Sequence, residues 1–243
     1  MIINPYRFAA SGPYDPETHG WNLNLDATVG VEEEAANPAE NGDPVRFWLD
    51  QSANGNDATQ IIPNPRPTYR AAAFSGGTDG DGVEFDGIDD FMSLDSAITM
   101  AQNYTFFCVC TRDASTDVIV PLGSTTASAR DYCLFWSATG NIFVTLDDGS
   151  AIGKSGQTGT GDFIICTQSE NGSGIIRVNG TAQTSLTTYA AGPTVADMSL
   201  VGLRGSTDSD GDIGQILHTS TVLTTAEIET TEAYLSAKFG ITI

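Results

Sequence analysis

Short apolar stretches recur along the chain at intervals of about ten residues, and most alternate apolar with polar positions. The first is Trp21-Asn-Leu-Asn-Leu-Asp-Ala27. Others follow at 45–49, 82–86, 91–94, 104–111, 117–122, 132–136, 141–146, 162–168, 174–178, 198–203 and 212–218. A period of two puts every second side chain on one face, so each stretch reads as a strand with a buried side. Between them, Ser137–Asn141, Glu170–Gly174 and Val178–Thr181 carry the Gly and Asn that tolerate positive φ in hairpin turns. This succession predicts an all-β fold of two antiparallel sheets. Residues 30–44 hold Glu32, Glu33, Glu34, Glu40 and Asp43 among small residues and read as a solvated loop.

A single helix is predicted, at the end of the chain. Thr224 and Glu227 have the spacing of a capping box, and Leu223 with Ile228 that of a hydrophobic staple. Ile228, Leu235 and Phe239 form one stripe, and Gly240 supplies the stop. Residues 1–20 are punctuated by Pro and Gly and read as an extended arm ahead of one domain, 21–243. No repeat of fixed period is visible.

Composition narrows the partners. The chain has 243 residues, with 10 Lys+Arg against 31 Asp+Glu, a net charge of −21. Such a surface repels phosphate backbones and anionic lipid, which excludes nucleic acid and membrane surfaces as partners. No apolar run approaches the roughly 18 residues of a membrane helix. The start, Met1 to Phe8, lacks the basic end and long apolar stretch of a secretory signal, so the chain is expected to be made and kept in a cytoplasm. Cys108, Cys110, Cys133 and Cys166 lie in apolar runs and are expected as buried thiols. Cys108 and Cys110 share a strand face and cannot bond one another, while a bridge from either to Cys133 or Cys166 stays geometrically open.

Candidate chemistry is sparse. Asp208-Ser-Asp210-Gly-Asp212 sets three carboxylates two residues apart in a loop, the way hard-cation loops begin, and makes Asp208, Asp210 and Asp212 candidate Ca²⁺ ligands. Asp79-Gly-Asp81 is a thinner second candidate. His19 and His218 have no Gly-x-Ser-x-Gly elbow to serve, and no phosphate loop follows a strand. Tyr14, Trp21, Tyr69, Tyr132 and Tyr189 are candidates for stacking on sugar rings, with packing as the plainer role of each.

Four patches resemble the laminin-G-like, concanavalin-A-like family of bacterial and phage proteins. They are Leu23–Ala27; Trp48–Ala58 followed by Pro67-Thr-Tyr69; Val83–Phe91; and Gly211–Ile216 running into the helix. Ala53 stands where the family usually has glycine. The resemblance implies a jelly-roll sandwich of two antiparallel sheets, with Ca²⁺ often held at its rim. That fold also hosts β-glucanases, whose acidic pair Glu84-Phe-Asp86-Gly-Ile-Asp89 approaches without matching. Gly87 breaks the strand before Asp89, so turn chemistry is the expected role and no enzyme is expected.

The segment Asn4-Pro5-Tyr6-Arg7-Phe8 ahead of such a sandwich resembles the particle-docking arm of bacteriophage virion proteins. The expectation is therefore a non-enzymatic virion structural protein, a capsid decoration or tail-fibre component on the particle surface. It would be a homo-oligomer contacting other capsid or tail proteins, with weak affinity for cell-surface glycans. The alternative is a Ca²⁺-dependent carbohydrate-binding module of a bacterial surface or extracellular protein.

Overall fold

In a computed structural model the alternating stretches become antiparallel strands. It describes residues 14–74, 76, 80–98, 103–124, 134–145, 151–171, 173–189, 198–204 and 207–243. The segment Asn4–Phe8, Cys133, Tyr132 and Asp79 lie outside the described residues. The larger sheet runs Thr181–Ala182, Ser173–Val178, Gly161–Glu170, Tyr104–Arg112, Asp210–Thr219, Gly82–Asp86, Thr68–Arg70. Leu23–Asp26 pairs with the far half of Asp210–Thr219, from Gln215 to His218. The facing sheet runs Met198–Val201, Met92–Ile98, Ala58–Thr59, Phe47–Trp48, Val31–Glu34, Asn37–Pro38. A smaller sheet joins Phe135–Trp136, Ile142–Thr145, Ala151–Lys154 and Thr187–Tyr189. This is the all-β sandwich with one C-terminal helix that the pattern predicts.

Tyr104–Arg112 is buried along its whole length because it has a core on each side. Tyr104, Phe106, Cys108 and Cys110 enter the inter-sheet core with Trp48, Phe85 and Trp136. Phe107 and Val109 enter a second core with Trp21, Phe74, Leu235 and Phe239, under the helix. A strand covered on both faces loses the apolar–polar alternation, as this one does. Cys166 belongs to the second core, so the sheet separates it from Cys108 and Cys110, and all three are free thiols.

The helix spans Thr225–Phe239 with both arms of the capping box made between Thr224 and Glu227, and it ends on Gly240 at φ 71°. Leu223 and Ile228 are both buried beneath it. Tyr14 Oη lies 2.7 Å from Thr231 Oγ1, and Trp21 Nε1 donates to the Pro16 carbonyl at 2.9 Å. The stretch from Tyr14 to Trp21 is thus pinned to the helix. No helix among the described residues is long and apolar enough to cross a membrane.

Two segments differ from expectation. Residues 30–44 contain a hairpin, Val31–Glu34 with Asn37–Pro38, which pairs onward with Phe47–Trp48. Only Val31 of the first strand is buried. The glutamates sit at a sheet edge, where Glu34 ion-pairs with Arg46 and Glu32 accepts the Ala36 N–H, and charge at an edge also discourages further pairing. The second is the Asp-rich loop. Asp210 and Asp212 lie inside Asp210–Thr219 and are held there by pairing to Asp86 and Glu84.

Candidate functional site

Polar side chains gather at both ends of the Asp210–Thr219 strand. At its start, Asp210 stands opposite Asp86, and Asp212 opposite Glu84. Val83 and Phe85 point into the inter-sheet core, so Glu84 and Asp86 face outward, and cross-strand partners share that face. Asp212 is pushed up to about 6, by burial first and then by Glu84. Its Oδ2 takes the Thr111 hydroxyl at 3.2 Å, while Oδ1 is buried without a partner among the described residues. Arg70 Nε donates to Glu84 at 2.7 Å.

Beyond this block the chain turns at Gly87, φ 72°. Asp86 Oδ1 accepts the Ile88 and Asp89 N–H groups at 2.9 and 3.3 Å, and Asp90 Oδ2 accepts the Asp86 N–H at 3.1 Å. Asp90 is pushed up to about 7, by burial and then by Asp86. The carboxylates that converge to within 4.8 Å are those of Asp86, Asp89 and Asp90. Asp208, Asp210 and Asp212, the ligands anticipated from spacing, are set in a row against Asp86, Asp89 and Glu84. Burial and those neighbours raise Asp208 and Asp210 above the usual carboxylate range. Asp81 is engaged by Tyr69 Oη at 2.6 Å and the Ala72 N–H at 2.9 Å, a structural role.

The other end opens into a cleft of about 430 Å³ between the two sheets. One wall is Ser96, Ala97 and Ile98, the other His218 and Ser220, and Asn22 with the 54–56 loop closes the end. That loop is built by Asp50, whose carboxylate accepts N–H groups from Asn24, Ser52 and Asn56 at 2.8–2.9 Å and the Ser52 hydroxyl at 2.6 Å. Asn56 then bridges to the opposite wall, donating to the Ser96 carbonyl at 2.8 Å and accepting its N–H at 2.7 Å. Asn54 Nδ2 holds the Asn22 carbonyl at 2.9 Å, and Asn22 Oδ1 takes the Ser220 N–H at 2.7 Å. Asn54 Oδ1 and the Ser96 and Ser220 hydroxyls have no protein partner among the described residues.

His218 forms part of the cleft wall. It is 2% exposed, its ring stacks at 6.3 Å on Tyr104, and neither ring nitrogen has a partner among the described residues. Burial pushes it down to about 4 from its usual 6.5. The folded chain keeps the ring neutral, whereas the unfolded chain protonates it near its usual value. Its stability contribution is therefore whole above that value and is lost as pH falls toward 4, by about 3 kcal/mol. Between pH 7 and 4 the wild type is expected to lose about 3 kcal/mol more unfolding free energy than His218→Phe, measured by urea denaturation. Asp90 and Asp212, raised rather than lowered, act with the opposite sign but equally in both proteins. Parallel pH curves for the two would refute the burial argument.

The aromatic candidates for sugar stacking are otherwise occupied where described. Tyr14 bonds Thr231, Trp21 is 4% exposed, and Tyr69 is tied to Asp81, which with burial raises its phenol. His19 packs between Tyr14 and Trp21, at 5.3 and 4.5 Å. The side chains of Tyr132 and Tyr189 lie outside the described residues.

No family model and no curated protein matches the chain. Solved structures do. A GH54 α-L-arabinofuranosidase soaked with a cyclic sulfate inhibitor superposes with a TM-score of 0.55 at 14% identity, over 80% of this chain and 51% of that one. Trypanosoma rangeli sialidase in complex with 2,3-difluoro-KDN gives 0.50 at 15%, over 96% and 36%. The HCR/D F1240A mutant gives 0.55 at 10%, over 89% and 51%. The likeness is one of fold. The sandwich is related to the concanavalin-A-like lectin and glucanase architecture, and the chain spans about half or less of these solved chains. This corrects the expectation of a non-enzymatic virion structural protein. The β-sandwich from which it was argued is shared with an arabinofuranosidase and a sialidase, both glycosidases, and nothing found supports a viral or phage attribution.

Proposed function

We propose that this domain works on carbohydrate, holding a saccharide in the cleft between Ser96–Ile98 and His218–Ser220. The observation that carries this reading is the lining of the cleft, where Asn54 Oδ1 and the Ser96 and Ser220 hydroxyls have no protein partner among the described residues. These are groups that both donate and accept, the complement of a polyol. The glycosidase folds named above support carbohydrate as the ligand class.

The test is titration calorimetry against a panel of oligosaccharides. Wild type is expected to bind at least one member, and Asn54→Ala and Ser220→Ala are each expected to weaken it about ten-fold, roughly one lost hydrogen bond to a polar partner. A panel that gives no heat, or variants that bind as wild type does, would end the assignment.

A second reading rests on Asp212 beside Glu84. One carboxyl that keeps its proton to about pH 6 next to another held by Arg70 has the split that glycosidic acid–base chemistry uses. It places the substrate at the Asp212 end of the strand, apart from the cleft, and requires that release of reducing sugar from an oligosaccharide disappear in Asp212→Asn.

A further inference from the structure

Resting on the cleft reading above, we infer that the saccharide held there is neutral, and that uronate- or sialate-type acidic sugars are excluded by the electrostatics of the cleft. The described residues lining the cleft include no Lys, Arg, Asp or Glu, on a chain of net charge −21. Two carboxylates lie near it in the described chain. The Asp50 carboxylate, 8% exposed, lies under the 54–56 loop with its oxygens committed to backbone N–H groups and the Ser52 hydroxyl. Asp95 is exposed at the rim, next to Ser96 in the chain and hydrogen-bonded through its N–H to the Asp57 carbonyl at 2.9 Å.

An acidic sugar seated here would surrender its hydration without meeting a cation, and would approach the carboxylate of Asp50 beneath the loop. A neutral sugar meets donors and acceptors only. His218 behind the wall adds no charge, since burial holds its ring unprotonated at neutral pH. Recognition therefore carries little Coulombic character and is expected to be nearly indifferent to salt.

The experiment compares a neutral oligosaccharide, taken from the panel hits, with its counterpart oxidised to a uronate at one sugar. Binding is measured to the full chain at low and at about 0.5 M salt. The neutral form is expected to keep its affinity within about two-fold across salt. The uronate is expected to bind at least ten-fold more weakly at low salt, with the gap narrowing as salt rises. Asp95→Lys, next to the wall but not part of the lining, reverses one exposed charge and should raise uronate affinity about three-fold at low salt while leaving the neutral form within about two-fold. Equal or tighter uronate binding by wild type overturns this inference alone. Binding of neither overturns it together with the assignment of the cleft.

Discussion

Replacing Arg112 with methionine is expected to lower unfolding free energy by about 3–5 kcal/mol, measured by urea denaturation. The side chain is completely buried, and its guanidinium spends its donors on main-chain carbonyls of two loops. Nε and Nη2 reach Asp117 at 3.1 and 2.8 Å, Nη2 reaches Ser115 at 2.7 Å, and Nη1 reaches Gln157 and Gly159 at 3.1 and 3.3 Å. The group also lies 4.2 Å over the ring of Trp136, whose own Nε1 donates to Gln157 at 2.9 Å. Methionine fills much of the volume but leaves several carbonyls with nothing to accept, and the cost of orphaned acceptors dominates the change. Lysine should rescue little, because a point charge cannot reproduce the planar fork. Burial without a directly bonded carboxylate lowers this arginine's proton affinity. A loss below about 1 kcal/mol would show that the two loops hold themselves without it.

Glu232→Ala should be nearly as damaging, by about 3–5 kcal/mol, because it strands a buried cation. Arg177, on Ser173–Val178, donates from Nε to both Glu232 oxygens at 2.9 and 3.1 Å and from Nη2 at 2.8 Å. Glu232 is 1% exposed on the helix, so this pair is the polar clamp between helix and sheet. Donating to the Glu232 carboxylate raises the arginine above its usual value. Nη2 also satisfies the Gly180 carbonyl at 2.7 Å, at the Asn179-Gly180 turn. The double variant Arg177→Met/Glu232→Leu should recover most of the loss, since two matched apolar groups of similar size are often as stable as the pair they replace. Denaturation of both singles and the double gives the coupling directly. Additive losses would mean the clamp is incidental.

The fold was legible where local pattern and tertiary environment agree. Gly82–Asp86 coincides with its predicted span, and the Thr224–Glu227 box and Gly240 stop bound the helix as expected. The strand at Val31–Glu34 was not, because three glutamates in a row carry no alternation and its pairing depends on Phe47–Trp48 further along the chain. The turn chemistry expected after Asp86 is there, in the N–H groups that Asp86 and Asp90 accept. The cleft was invisible for a different reason. Asn22, Asn54, Ser96 and His218 come from four separate segments, and only strand order brings them together. The burial of His218 and its unpaired nitrogens among the described residues are likewise a property of its neighbours, which no single segment contains.

The strand Asp210–Thr219 lies between Tyr104–Arg112 and Gly82–Asp86, although it comes well after both in the sequence. Until it arrives, both of those strands present bare edges, one of them apolar on each face. A ribosome-bound or truncated chain ending before residue 210 would therefore be a sticky one, prone to pairing with its own copies. Closure must wait for residues 210–219, which makes slow and all-at-once acquisition of structure the natural kinetic signature of this topology.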